Sequence, residues 1–161
     1  MKLDGVKIVN KEGELVDLSY ATKYSAGFDI YASDKTMIYP NKKALVPTGL
    51  FLKVDKDKVN CFFELQIRPR SSLSYNTDLR ICNSPGTIDM DYEGEIMIII
   101  EQTRNRPHMI NEGDPIAQGV FCPVLRPDCI VVQEKERKTG GFGSTEKKKV
   151  DNTKKPKPKK R

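Results

Sequence analysis

The sequence lacks the side chains from which most metal centres and nucleophilic hydrolase sites are built. Its single histidine, His108, stands in a turn-like segment far in sequence from any candidate nucleophile, and we expect it at the surface. The four cysteines have no zinc-finger spacing, and three of them adjoin strand-like runs, where reduced core thiols are the default. They are Cys61, Cys82, Cys122 and Cys129. No Gly-x4-Gly-Lys-Ser/Thr phosphate loop occurs either. The sequence therefore disfavours a Ser-His-Asp hydrolase, a zinc protein and a P-loop nucleotidase.

Long apolar runs are also missing. No stretch approaches the roughly 20 apolar residues of a membrane-spanning helix. Residues 1–5 show no apolar signal region. We therefore expect an intracellular protein of a reducing compartment, cytoplasmic or nuclear, without a membrane partner.

Charge is distributed unevenly along the 161 residues, whose formal net charge is +6. Residues 146–161 hold nine basic and two acidic groups, so this tail carries +7 and residues 1–145 carry −1. The near-neutral remainder argues against a nucleic-acid-binding body. Three interpretations of the tail stay open: an import signal, a weak nucleic-acid contact and an inert solvated segment.

The apolar pattern predicts an all-β protein, because short apolar runs alternate with Gly, Pro, Asn and Asp. No long stretch keeps a helical period, and one short helix is predicted at 71–76. Many short strands at regular spacing favour a sandwich or barrel. The predicted strands are 6–9, 28–32, 44–46, 50–54, 61–67, 79–82, 95–101, 116–124 and 129–133.

Composition divides the chain into three parts. Residues 1–134 are predicted to form the β domain. Residues 135–145 contain Gly140-Gly141-Phe142-Gly143, which has little capacity to form a core and suits an arm that closes over a ligand. Residues 146–161 form the basic tail, which we expect to be disordered.

The densest chemistry lies in residues 86–95, which hold four carboxylates and a tyrosine directly before an apolar run. If this segment is extended, Asp89 and Asp91 lie on one face and Met90 and Tyr92 on the other. A carboxylate beside an aromatic ring at a strand end suits a bound water or sugar. Taken alone, the segment is more typical of a solvated acidic turn.

Two further segments suit a nucleotide. Arg70 offers a planar fork of donors, and Ser71 and Ser72 add hydroxyl and N–H groups at a predicted helix start, as a phosphate requires. In the Gly-rich segment, Phe142 offers a stacking face and Ser144 and Thr145 offer hydroxyls. Together these features indicate a ligand with a flat ring, a sugar and several phosphates.

The chain resembles the trimeric deoxyuridine triphosphatases (dUTPases). Five segments match the motifs of that family in the family's order, and five ordered matches do not arise by chance. They are SAGFDIYA at 25–32, PRSSL at 69–73, GTIDMDYEG at 86–94, GDPIAQ at 113–118 and RKTGGFGST at 137–145.

The resemblance implies a jelly-roll-like β fold, a homotrimer with active sites shared between subunits, and hydrolysis of dUTP to dUMP and pyrophosphate with Mg²⁺. This reaction lowers dUTP and supplies dUMP for thymidylate synthesis. Asp89 is the implied catalytic residue, which orients and deprotonates the attacking water, and Asp29 is implied to reach Mg²⁺ through water only. The implied substrate-binding residues are Arg70, Ser71, Ser72, Asn83, Gly86, Thr87, Ile88, Tyr92, Gln118, Arg137, Phe142, Gly143, Ser144 and Thr145.

The chain departs from the family pattern at three places. Ser72 stands where glycine is usual, Gly119 where a larger apolar residue is usual, and Lys138-Thr139 where Gly-x is common. None of these departures removes an implied catalytic group. Asp91, Glu93 and Glu95 receive no chemical role and are interpreted as turn and surface residues.

Two alternatives compete with the triphosphatase. A dCTP deaminase shares the implied fold, but it requires a glutamate ten residues after the aspartate, where this chain has Ile99. A catalytically idle nucleotide sensor, or a nucleic-acid-binding module that uses the basic tail, conflicts with the intact set Asp89, Tyr92, Arg137 and Phe142.

Overall fold

A computed structural model describes residues 3–130 and 132. In this part of the chain ten strands and one short helix follow one another. They are β1 (Val6–Val9), β2 (Phe28–Tyr31), β3 (Thr36–Ile38), β4 (Lys43–Val54), β5 (Phe63–Arg68), α1 (Ser71–Asn76), β6 (Leu79–Ile81), β7 (Gly86–Asp89), β8 (Glu95–Gln102), β9 (His108–Ile110) and β10 (Pro115–Pro123). The predicted all-β class with one short helix is confirmed.

The strands form two four-stranded antiparallel sheets and a small two-stranded one. The first sheet has the order β1-β4-β8-β6, the second β2-β10-β5-β7, and β3 pairs with β9. Strands distant in sequence are neighbours in both large sheets, so long connections cross between the layers, as in jelly-roll proteins.

The core lies between the two large sheets and is dominated by β-branched and other aliphatic side chains. Strand β8 alternates strictly, with Ile96, Ile98 and Ile100 buried and the residues between them half-buried. Strand β5 contributes Leu65 and Ile67 from the opposite layer. The same alternation turns the polar residues of β5 outward, which is where the chemistry of the second sheet lies.

The structure differs from three of the predicted strands and contains three strands that were not predicted. The predicted strands 44–46 and 50–54 are one long strand, β4, because the Pro47-Thr48-Gly49 turn signal forms a bulge within the strand. Strands β3, β7 and β9 were not predicted, since three or four residues each are too few for a visible period. Of the predicted strand 129–133, the described residues 129 and 130 belong to a turn closed by the Ile130 N–H donating to the Pro127 carbonyl.

The unusual side chains lie at the margins of the core. His108 lies in β9 opposite Ile38, so the prediction of a turn-like segment is wrong; its side chain is half-buried at the surface of the sheet. Cys61, Cys82 and Cys122 are free and half-buried, whereas Cys129 is exposed. Among the described residues no helix is long and apolar enough to cross a membrane.

The unusual Gly119 is explained by packing. A Cβ atom at this position would stand 2.5 Å from Cζ of Phe28 and 2.8 Å from Cε2. The Phe28 ring is buried and also packs against Tyr20 and Phe121. The ring therefore occupies the space that a larger side chain at position 119 would need.

We expect Gly119→Ala to lower the free energy of unfolding by about 1–3 kcal/mol, because the buried ring must move to admit a methyl group. Urea unfolding measures this change. Adding Phe28→Leu in the same chain provides the control, since the smaller side chain should restore part of the loss. A Gly119→Ala protein as stable as the original would contradict this packing.

Candidate functional site

The register of the second sheet places three polar residues in one row. Asp29 of β2 lies opposite Gln118 of β10, and Gln118 lies opposite Arg68 of β5. Directly opposed residues point to the same side of a sheet. Since Ile30 and Ile67 beside them are buried, this row faces outward from the core.

Arg70, two residues beyond the end of β5, turns back over this row. Its Nε donates to Oδ1 of Asp29 at 2.9 Å and its Nη2 to Oδ2 at 3.2 Å, while Nη1 donates to the Pro115 carbonyl at 3.2 Å. Both partners of the ion pair are a quarter to a third exposed. The pair therefore fixes the direction of the guanidinium more than it adds stability.

Gln118 holds the turn that carries Arg70. Its Nε2 donates to the Pro69 carbonyl at 2.9 Å. Gly27 provides the room, because a Cβ there would lie 2.9 Å from Oε1 of Gln118. The glycine of the SAGFDIYA segment thus permits the glutamine of the GDPIAQ segment to reach the PRSSL turn.

Ser71 and Ser72 open α1 directly after Arg70. Both are exposed, and no side-chain hydrogen bond caps the helix. Leu73 packs against the core instead and anchors the turn. The structure therefore places five residues with expected phosphate-binding or metal-linked roles on this outward row or in the turn beside it: Asp29, Arg70, Ser71, Ser72 and Gln118.

A second cluster surrounds a cavity of about 280 Å³ between β7 and the β6–β8 layer. All five residues expected to bind the nucleoside line it, namely Asn83, Gly86, Thr87, Ile88 and Tyr92. The apolar walls of this cavity were not predicted; they are formed by Ile67, Ile81, Met97, Ile98 and Ile99. The alternation of β8 was the available signal, because Met97 and Ile99 fall on the face of that strand turned away from the core.

The acidic segment is only partly extended. Strand β7 ends at Asp89, and the chain then turns, with the Tyr92 N–H donating to the Asp89 carbonyl at 3.1 Å. The expected alternation of Asp89 and Asp91 against Met90 and Tyr92 therefore stops at the strand end. Asp89 and Met90 are half-buried, and Tyr92 is buried.

Tyr92 is fixed with its hydroxyl group inward. The hydroxyl donates to the Glu95 carbonyl at 3.0 Å. Burial, and secondarily the charge of Glu95, raise the pKa of Tyr92 above its usual value near 10. The phenol therefore stays protonated at neutral pH and keeps its hydrogen bond.

Asp89 is well separated from the row of Asp29, Gln118 and Arg68 within one chain. Asp89 lies opposite Glu64 on β5, whereas the Asp29 row meets β5 at Arg68. Four residues of strand correspond to about 13 Å, before the sideways spacing of the strands is added. A water held by Asp89 is thus far from the atoms that Arg70 reaches in the same chain.

The described residues form no protein cage for a metal ion. Within the described residues no group of three or more His, Cys, Asp or Glu side chains could hold an ion. Asp29 is half-buried, and its carboxylate beside the cationic Arg70 is a hard oxygen donor of the kind that Mg²⁺ prefers. These residues fit an ion coordinated mainly by phosphate oxygens rather than a protein cage.

The remaining expected site residues, Arg137, Phe142, Gly143, Ser144 and Thr145, lie outside the described residues, as do the arm 135–145 and the tail 146–161 as wholes.

Fold and clusters together define an antiparallel β protein with an outward polar row that Arg70 covers and a small cavity lined by polar and aliphatic groups. The family model of the dUTPases matches residues 14–146, which include all five motif segments. The chain is 39% identical over 148 residues to the deoxyuridine 5'-triphosphate nucleotidohydrolase of Nautilia profundicola, covering 90% of this chain and 99% of that protein. The chain belongs to the dUTPase family.

Solved structures agree on the fold. The dUTPase of Streptococcus mutans superposes with a TM-score of 0.65 at 26% identity, covering 77% of this chain and 98% of that one. A point mutant of the dUTPase from phage phi11 of S. aureus, which is described as coordinating a structural Mg(II) ion, superposes with a TM-score of 0.65 at 22% identity and covers 82% and 98%. The predicted jelly-roll-like dUTPase fold is confirmed.

Proposed function

We infer that this chain hydrolyses dUTP to dUMP and pyrophosphate, which lowers dUTP and supplies dUMP for thymidylate synthesis. The observation that carries the inference is the similarity, over 90% of the chain, to a protein named for this activity. The cavity of about 280 Å³ gives it a physical basis, because its size and mixed lining suit one nucleoside.

Asp89 is the proposed catalytic residue. It lies at the rigid end of β7, next to the turn that carries Tyr92. An ionised carboxylate one hydrogen bond from a water can orient that water and accept its proton as it attacks the α-phosphorus.

The base and sugar occupy the cavity in this proposal. Asn83 and the backbone of residues 86–88 pair with the polar edge of uracil. Cytosine has an amino group in place of a uracil carbonyl, so it would set a hydrogen-bond donor opposite donors of the protein. The Tyr92 ring packs on the deoxyribose and leaves no room for a 2′-hydroxyl. Its fixed, inward hydroxyl supports this role, because a ring that cannot swing away is a steric barrier.

The phosphates occupy the other cluster. Arg70, Ser71, the Ser72 backbone and Gln118 bind their oxygens, and Asp29 would help to hold Mg²⁺ through water. When bound with the triphosphate, the ion supplies positive charge against the charge that develops on the phosphate oxygens. The existing Asp29–Arg70 pair supports the arrangement, since it already aims the guanidinium along the outward row.

Residues 135–145 are proposed to close over the bound nucleotide. Phe142 stacks on uracil, while Arg137, Gly143, Ser144 and Thr145 surround the γ-phosphate. The extension of the family match to residue 146 supports this assignment.

A homotrimer with shared sites completes the proposal. Asp89 and the Arg70 cluster must act on one triphosphate, yet about 13 Å of strand β5 separates their rows in one chain. Apposition of the Arg70 cluster of one subunit with the Asp89 turn of its neighbour removes this separation. In a rotationally symmetric ring the same apposition recurs at every interface.

The deaminase alternative loses support at Ile99. The glutamate that deamination requires would stand at this position, and Ile99 lines the cavity. A hydrocarbon side chain cannot transfer protons to a cytosine ring.

Pyrophosphate release from a panel of dUTP, dCTP, dTTP and UTP tests the function. We expect rapid release from dUTP and little from the other three, because the cavity pairs with uracil and excludes a 2′-hydroxyl. Conversion of dCTP to dUTP or dUMP would instead establish the deaminase.

We expect Asp89→Asn to keep dUTP binding while turnover falls by roughly 10²–10⁴, because the amide cannot accept the proton of the attacking water. Equilibrium binding of a non-hydrolysable dUTP analogue and single-turnover rates separate the two effects. Near-normal turnover in this variant would remove Asp89 from the catalytic role.

Mixed trimers test the shared site. Asp89→Asn and Arg70→Ala chains, each inactive alone, are expected to recover about a quarter of the original activity when co-expressed at equal levels, because a quarter of randomly assembled interfaces combine both intact groups. Mixing the separately purified trimers without exchange is the control. If co-expression restores nothing while both variants still form trimers, the site lies within one subunit.

A further inference from the structure

Glu95 is the acid of the 86–95 segment that does not behave as a surface residue. It is half-buried at the start of β8. Its Oε1 accepts hydrogen bonds from two backbone N–H groups of the facing strand, Gly49 at 2.8 Å and Thr48 at 3.1 Å. An acid that only solubilised the turn would not bind two amides 46 and 47 positions away in sequence.

These two amides belong to the bulge of β4. Pro47 pairs with Met97 and Phe51 with Glu95, so four positions of β4 correspond to two of β8 and the regular ladder is interrupted. Gly49 has a φ of +67°, which turns its N–H out of the usual strand direction. The Glu95 carboxylate replaces the ladder partners that the bulge has lost.

Thr48 closes the same junction from the other side. Its Oγ1 donates to the Ile96 carbonyl at 2.5 Å and accepts from the Leu50 N–H at 3.2 Å. Side chains from both strands therefore clamp the backbone of residues 95 and 96 to the bulge, and the position of the Glu95 carbonyl is fixed.

That carbonyl is the acceptor of the Tyr92 hydroxyl, at 3.0 Å. The ring also lies directly on Gly94, where a Cβ would stand 2.6 Å from the hydroxyl oxygen and 2.7 Å from Cζ. The ring is thus held between a residue without a side chain and an anchored carbonyl. Because Tyr92 lines the nucleoside cavity, the chain of contacts runs from the β4 bulge through Glu95 to the wall of that cavity.

We propose that Glu95 is a positioning residue, whose carboxylate locks the β4 bulge and thereby holds the Tyr92 ring at the depth that admits a deoxyribose and rejects a ribose. The proposal rests on the proposed function, in which Tyr92 contacts the sugar. It assigns to Glu95 the discrimination between dUTP and UTP, and no part in proton transfer.

The test compares kcat and KM for dUTP and UTP in Glu95→Ala, Glu95→Gln and Tyr92→Phe, with Glu93→Ala as the matched control for loss of an acidic group from the same turn. Glu95→Ala removes the acceptor of two half-buried amides, so the bulge and the Tyr92 ring gain freedom. We expect the ratio of kcat/KM for dUTP to that for UTP to fall about tenfold, mainly through KM, while kcat for dUTP changes by less than about threefold.

The other variants localise the effect. Glu95→Gln keeps a neutral oxygen acceptor and should restore most of the discrimination, and Glu93→Ala, at an exposed position, should leave it unchanged. Tyr92→Phe removes the next contact in the same series, the hydrogen bond from the Tyr92 hydroxyl to the Glu95 carbonyl. Its effect should therefore not add to that of Glu95→Ala in the double variant.

A Glu95→Ala enzyme that is less stable but equally selective would overturn the proposal, as would additive effects in the double variant. If Glu95→Ala does not fold, Glu95→Asp and Glu95→Gln are compared instead. The shorter aspartate side chain cannot reach both backbone N–H groups, so Glu95→Asp must lose discrimination between dUTP and UTP, whereas Glu95→Gln must keep it. Failure of the original chain to release pyrophosphate from dUTP would instead contradict the proposed function. If the original chain is active and selective and its Glu95 variants remain equally selective, only the positioning role of Glu95 is contradicted, and the proposed function stands.

Discussion

The outward polar row of the second sheet depends on the register of β10 between β2 and β5. This pairing aligns Asp29, Gln118 and Arg68 on the outward face while Ile30 and Ile67 fill the core. A slip of one residue would exchange the two faces and bury the polar row. Because the aliphatic side chains next to the row can only be accommodated inward, hydrophobic burial sets the register, and the positions of the polar groups follow from it.

The sequence predicts which residues could form the site better than it predicts how far apart those residues lie in the folded chain. The motif segments identify Arg70, Gln118, Asp89 and Tyr92, because each needs a particular functional group within a few residues of a glycine or proline. No local pattern states that Asp89 pairs opposite Glu64 while Gln118 pairs opposite Arg68. That information resides in the pairing of strands distant in sequence, which depends on the whole core rather than on any one segment.

The bulge of β4 escaped prediction for a related physical reason. Proline and glycine at 47 and 49 are typical of a turn between strands, and local propensity favours two short strands. Tertiary partners override this preference, since Glu95 and Thr48 supply hydrogen bonds that the interrupted ladder lacks. A turn signal therefore becomes a bulge where a neighbouring strand offers a side-chain acceptor, and the spacing of 46 residues hides that acceptor from any local pattern.

Selectivity and turnover thus have separate physical origins in the proposed enzyme. The Tyr92 wall of the cavity is held by contacts within one chain, from its hydroxyl to Glu95 and from Glu95 to the β4 bulge, so its shape is set before substrate arrives. The proposed catalytic assembly requires a neighbouring subunit, because Asp89 and Arg70 are far apart within one chain, and phosphate oxygens to complete the coordination of a metal ion. In this proposal, a preformed cavity that rejects ribose is joined to a reactive centre that a triphosphate and a neighbouring subunit complete. Such an arrangement would limit hydrolysis of ribonucleotides without slowing the step assigned to Asp89.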